Sequence, residues 1–228
     1  MTGTTFPTIC LVGKNQIAVE AFEAEWAAYC EARHAVGLAN GLDALTLALR
    51  ALDIGPSDEV IVPSNTYIAT LLAVSGLGAT PVPVEPDVAT HNIDPALIEA
   101  AITSRIRVLL PVHLYGQAAN IDPILDIERR HGLRVIEDAA QAYGAHYKGQ
   151  RIGAHGDIVC WSLCSGENLG VLGDAGAITT NDTALAERVA LLRNYGSRQK
   201  YLNEEAGMNS RLDPIPSCVI KSEVGGSR

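Results

Sequence analysis

Apolar residues recur at helical spacing from Ile17 to Ala32, and again from Leu42 to Leu52, where LDALTLALRAL is also rich in strong helix formers. Ala39-Asn40-Gly41 ahead of the second run is a turn signal. The pattern then shortens. Asp58 to Pro63 reads as a buried strand stopped by its proline, Tyr67 to Leu77 as a helix, and Thr80 to Val84 as a strand despite its prolines. Asp94-Pro95 supplies a cap and a first-turn proline for a helix reaching Ile102. Arg107 to Val112 is a strand, and Asp122-Pro123 opens a helix that runs to His131 and closes at Gly132. Leu133 to Ile136 is a strand that delivers Glu137 and Asp138 at its C-terminal end. Asp157 to Leu163 and Gly176 to Thr180 are further strands, and Asp182 to Arg193 is a helix. There is no internal repeat.

Strands separated by helices predict βαβ units, hence an α/β fold with a mainly parallel sheet flanked by helices. Ligands of such sheets sit beyond the carboxyl ends of the strands. Asp138 and Ser162 both fall there.

Composition narrows the class. With 228 residues, 47 % hydrophobic and 19 % charged, the chain is an ordinary globular protein of one large domain or two small ones. A net charge of −9 argues against nucleic acid as a partner. No apolar run reaches the roughly 18 residues that would span a bilayer. Met1 to Thr8 lacks the basic and apolar segments of a secretory signal, so a cytoplasmic protein is expected. Cys10, Cys30, Cys160, Cys164 and Cys218 are odd in number and scattered, which predicts reduced thiols rather than a disulfide framework. No Cys-x-x-Cys and no histidine pair at zinc spacing occurs, so no metal site is expected.

Several residues can carry chemistry. Asn40-Gly41-Leu42-Asp43 opens a helix whose free N–H groups suit an anion, although a plain turn is the simpler reading of those residues alone. Asp138, at a strand tip, can hold a protonated ring nitrogen or merely cap the next helix. Gln141, three residues on, can share the same mouth or lie exposed. Tyr67 can stack on a flat ring or simply pack. His113 is a candidate acid or base, with a hydrogen-bonded strand-end histidine as the more ordinary reading. There is neither a Walker sequence nor a GxGxxG run.

The order of the motifs is more specific than any one of them. NGLDAL at 40–45, DEVIVPSNTY at 58–67, PVHLYGQ at 111–117, EDAAQA at 137–142 and GDAGA at 173–177 together resemble the DegT/DnrJ/EryC1/StrS aminotransferases, over about Gln16 to Ile215. The Gly41-Leu42-Asp43 version is most similar to enzymes that aminate C3 of dTDP-linked keto-deoxysugars. The resemblance implies the large domain of the fold type I pyridoxal phosphate (PLP) enzymes over 1–215, with an irregular tail at 216–228 where the small C-terminal domain would follow. It implies that Gly41 and Leu42 offer N–H groups to the cofactor phosphate and that Ser162 binds it. It further implies that Tyr67 covers a ring face, Asp138 pairs with the pyridine nitrogen and Gln141 contacts the ring hydroxyl. Asn209 resembles an asparagine that reaches a neighbouring subunit's phosphate site, so a homodimer is implied, with glutamate as amino donor.

Two departures qualify that activity. In WSLCSGENLG at 161–170, Glu167 stands where the family carries the lysine that forms an imine with PLP. A carboxylate cannot form one, so any PLP or pyridoxamine phosphate (PMP) is expected to bind non-covalently, and aminotransferase activity is expected to be impaired. Lys148 lies in a turn that looks structural, and Lys200 is a distant substitute. After Ile215, Pro216 and a short Gly-rich tail stand in place of the family's long helix and small domain, which predicts a truncated protein. Two other readings follow: a PMP-dependent keto-deoxysugar dehydratase with Glu167 as general base, and a non-catalytic partner of an intact paralogue.

Overall fold

The computed structural model describes residues 15–164, 173–199 and 201–214; Glu167, Lys200 and the 216–228 tail lie outside the described residues. The chain opens with α1 (Asn15–Tyr29), β1 (His34–Leu38), α2 (Gly41–Ala51), β2 (Glu59–Pro63), α3 (Ile68–Ser75) and β3 (Thr80–Val84). There follow α4 (Pro95–Ala101), β4 (Ile106–Leu109), α5 (Ile121–His131) and β5 (Arg134–Asp138). A hairpin of β6 (His146–Tyr147) and β7 (Gln150–Arg151) precedes β8 (Ile158–Ser162), β9 (Gly176–Thr180) and α6 (Thr183–Leu192). A small ribbon of β10 (Ser197–Gln199) and β11 (Leu202–Asn203) comes last.

Seven strands form the central sheet in the order β1-β9-β8-β5-β4-β2-β3. The pairs from β8 to β3 are parallel, while β9 runs antiparallel to both β8 and β1. The mainly parallel sheet is as the sequence predicts. β1 and the two short hairpins are additions to it, and β4 ends at Leu109, short of the expected Val112, which keeps only an isolated bridge to Asp138. β2 and β9 are buried along their whole length, as strands covered on both faces must be. The prolines of β3 are tolerated because it is an edge strand. The Thr80 N–H bonds inward to Asp58 O, so the alternate nitrogens of Pro81 and Pro83 face away from the sheet.

Period-two alternation divides the core. Val60, Val62, Ile136, Ile158, Cys160 and Ile178 pack with α2 and α6 on one face. Ile61, Leu109 and Val135 pack with α4 and α5 on the other, and there Val159 and Trp161 pack with Phe22 and Trp26 of α1. Helix ends follow their sequence signals. The Asp94 side chain accepts from Ala96 N–H, that of Asp182 from Ala184 and Leu185 N–H, and Gly132 closes α5 in a left-handed conformation.

Candidate active site

Alternation also decides what the strand tips present. Asp138 falls on the face of Ile136, toward α2 and α3, and Ser162 on the face of Ile158 and Cys160. Asp138 and Cys160 are register partners across β5 and β8. Glu137, one residue earlier, points to the opposite face. The two carboxylates therefore live in separate environments despite being neighbours in the chain.

A cavity of about 700 Å³ opens at this end of the sheet. Asn40, Gly41, Leu42 and Asp43 from the start of α2 line it, with Thr66, Tyr67 and Thr70 around the start of α3, and Asp138, Gln141 and Ser162 from the strand ends. The contact between α2 and β8 is close enough to require glycine. A Cβ on Gly41 would sit 2.7 Å from Ser162 Cβ and 3.1 Å from its Oγ. Gly176 on β9 is pressed in turn against the Asn40 carbonyl, 2.3 Å from where its Cβ would be. Asn40 caps the helix by accepting from Asp43 N–H at 2.8 Å. Gly41 and Leu42 are the first helical residues, and their N–H groups have no intrahelical acceptor. These donors and the Ser162 hydroxyl line one end of the cavity, an arrangement suited to an anion such as a phosphate.

Asp138 is nearly buried. One carboxylate oxygen accepts from the Thr70 hydroxyl at 3.0 Å and the other from Ala140 N–H at 3.1 Å. Burial pushes its pKa above the ordinary carboxylate value, and these two bonds offset that only in part. Both partners are neutral, so the site supplies a carboxylate whose natural complement is a cationic N–H. Burial likewise pushes the Cys160 thiol well up. Gln141 uses its side-chain oxygen to accept from Tyr115 N–H at 2.9 Å. Tyr67 is 72 % exposed at the cavity rim, so it is available to cover a ligand.

Two sequence candidates stand apart from this cavity. His113 is fully buried on the other side of the sheet. Its Nδ1 accepts from Ala119 N–H at 3.0 Å, so the ring donates through Nε2 to Glu137 at 2.9 Å. Both ring nitrogens are thus committed within the fold, and His113 does not line the cavity that holds Asp138. Burial pushes Glu137 up, but the His113 contact and the Gly156 N–H at 2.6 Å outweigh it and leave the group below its ordinary value. Asn209 lines a second cavity of about 590 Å³ with Arg193 and Arg211, not the one that holds Asp138. Lys148 pairs with Asp122 on the surface and does not line the cavity. Sequence reasoning missed Thr70, whose hydroxyl is legible only once α3 is docked against β5. Among the described residues no cluster of potential metal ligands occurs, and no helix is long and apolar enough to cross a membrane.

The sheet and its flanking helices have the fold of the type I PLP-dependent aminotransferases, which solved structures similar to it share. The chain belongs to the DegT/DnrJ/EryC1/StrS aminotransferase family, whose model matches residues 12–224. It is 59 % identical over 203 residues to dTDP-3-amino-3,4,6-trideoxy-alpha-D-glucose transaminase of Streptomyces venezuelae, covering 89 % of this chain and 54 % of that protein. It is 57 % identical over 202 residues to dTDP-3-amino-3,6-dideoxy-alpha-D-galactopyranose transaminase of Aneurinibacillus thermoaerophilus, covering 89 % and 56 %. The crystal structure of S. venezuelae DesV in complex with a ketimine intermediate superimposes with a TM-score of 0.90 at 57 % identity, over 94 % of this chain and 57 % of that one. That of NtdA from Bacillus subtilis with bound cofactor PMP gives 0.86 at 35 %, over 91 % and 47 %. The chain spans about half the length of the curated relatives it matches.

Proposed function

We propose that this chain holds PLP or PMP without a covalent link, as the large domain (1–215) of a sugar-nucleotide aminotransferase-type protein. One observation carries the reading: the start of α2, the tip of β5 and the end of β8 meet in a single cavity, joined by the Gly41–Ser162 contact. The residues fit the cofactor. Gly41, Leu42 and Ser162 would hold the phosphate, Asp138 the ring N–H, Gln141 the ring hydroxyl, and Tyr67 one ring face. When bound, the cofactor supplies an exchangeable amine and an electron-accepting ring. The protein's part is to keep the ring nitrogen protonated through Asp138 and to fix the ring's orientation.

The names of these relatives support a dTDP-linked keto-deoxysugar as substrate; glutamate as donor is part of the proposal. A cytoplasmic homodimer in which Asn209 reaches the partner's phosphate site belongs to the same proposal. Glu167 in place of a lysine supports impaired amino transfer. It also favours the second reading, a PMP-dependent dehydratase in which Glu167 moves a proton.

Spectrophotometric titration with PLP and PMP, followed by borohydride, tests this. Reversible PMP binding with no borohydride-fixed adduct is the expected result. An adduct on any lysine overturns the non-covalent reading, and no binding of either form overturns the cofactor reading. Incubating the PMP-loaded protein with a dTDP-keto-deoxysugar then separates an aminosugar product from a dehydrated one. No product at all points to the non-catalytic partner.

A further inference from the structure

Behind Asp138 lies a pair of hydroxyls that the cofactor reading does not use. Thr70, fully buried in α3, donates to Asp138 Oδ2 at 3.0 Å. Its oxygen lies 2.9 Å from that of Thr66, four residues earlier in the approach to the helix. Thr66 is only part-buried and lines the cavity. The chain Asp138–Thr70–Thr66 therefore leads from a buried carboxylate to the cavity wall. Hydroxyls both donate and accept, so such a chain can run in either direction. An ionised Asp138 accepts from Thr70, which accepts from Thr66. A protonated Asp138 donates to Thr70, which donates to Thr66.

We propose that Thr66 and Thr70 form a positioning relay for Asp138, fixing its carboxylate plane and reversing their hydrogen bonds as the carboxylate loses and gains its proton. With a cationic ring N–H in place the relay donates toward a carboxylate. When Asp138 takes up a proton, the relay turns round. Burial favours that protonated form in the empty site. The other titratable groups around the carboxylate are Cys160 beside it on β8, Glu137 and His113 beneath the sheet, and Asp43, Tyr67 and Asp174 along the cavity wall. None of these is in a position to replace the Thr70 donor. The inference rests on the cofactor reading for its ligand but not for its hydrogen bonds.

The test uses the full chain with Asp carboxyl carbons labelled, the Asp138 signal being assigned by its loss in Asp138→Asn. Its pH midpoint is followed by NMR without cofactor, and PMP binding by calorimetry. Thr70→Val removes the donor at nearly constant volume. It should raise the midpoint by about one pH unit, tenfold in proton affinity, and weaken PMP binding by roughly tenfold. Thr70→Ser should restore both. Thr66→Val should move both in the same direction by less, and it serves if Thr70→Val does not fold. An unmoved midpoint in either valine variant, or failure of the serine to restore it, overturns the relay. If the wild type takes no PMP, the cofactor reading falls while the midpoints still decide the relay.

Discussion

Glu137 and Asp138 show how little chain separation says about chemistry. One is held ionised by His113 and the Gly156 N–H, the other is pushed toward its protonated form by burial. The consequences for stability have opposite sign. Glu137 supports the fold above the ordinary carboxylate value, and that support is lost as pH falls through its depressed value. The support from Asp138 is complete at low pH and is lost as pH rises through its raised value. Asp138→Asn should therefore stabilise the cofactor-free protein by ~1 kcal/mol at neutral pH. In thermal melts the difference from wild type should grow as pH rises from the ordinary carboxylate value through the raised one, while PMP affinity falls about a hundredfold by loss of the ionic partner. At the phosphate end, Gly41→Ala drives a methyl group into Ser162. Denaturant melts should show a loss of ~1–3 kcal/mol from overpacking, with weaker PMP binding alongside. Glu167→Lys should yield a borohydride-fixed PLP adduct, checked by mass spectrometry, because only the tether is replaced.

Local signals wrote most elements, and long-range ones the rest. α2, α4, α5 and α6 lie within a residue or two of where caps, prolines and periodicity place them, because the side-chain caps of α2, α4 and α6 bond only to their own first turns and Gly132 closes α5 locally. Asp182→Ala should accordingly cost ~1 kcal/mol in denaturant melts without touching PMP affinity, since its bonds serve α6 alone. β1 was not legible. HAVGL is short and does not alternate, and its partner β9 lies some 140 residues on, so nothing local marks it as a strand. The antiparallel direction of β9 was hidden for the same reason. Of the site, the motif positions that line the cavity were readable. The commitment of His113 to Glu137 was not, because it depends on which face of β5 each side chain takes. Thr70 escaped because its role exists only after α3 packs against the sheet.

For the molecule as a whole, the cavity is a product of layering. α2 and α3 cover one face, α4 and α5 the other, and the strand ends between them leave room where the helices begin. β8 closes it from the far side, and Gly176 of β9 lets the Asn40 carbonyl approach behind it. Gly176→Ala should thus lower both stability and PMP affinity in parallel, a coupling readable by melts and calorimetry on one sample. The alternating prolines of β3 act at the opposite margin. A neighbouring molecule that tried to add its own extended segment there would find ring carbons where it needs donors. Crowded solutions of this protein should therefore resist fibrillar growth along that side. The double change Pro81→Val and Pro83→Val should remove the barrier and shorten the lag seen with an amyloid-sensitive dye.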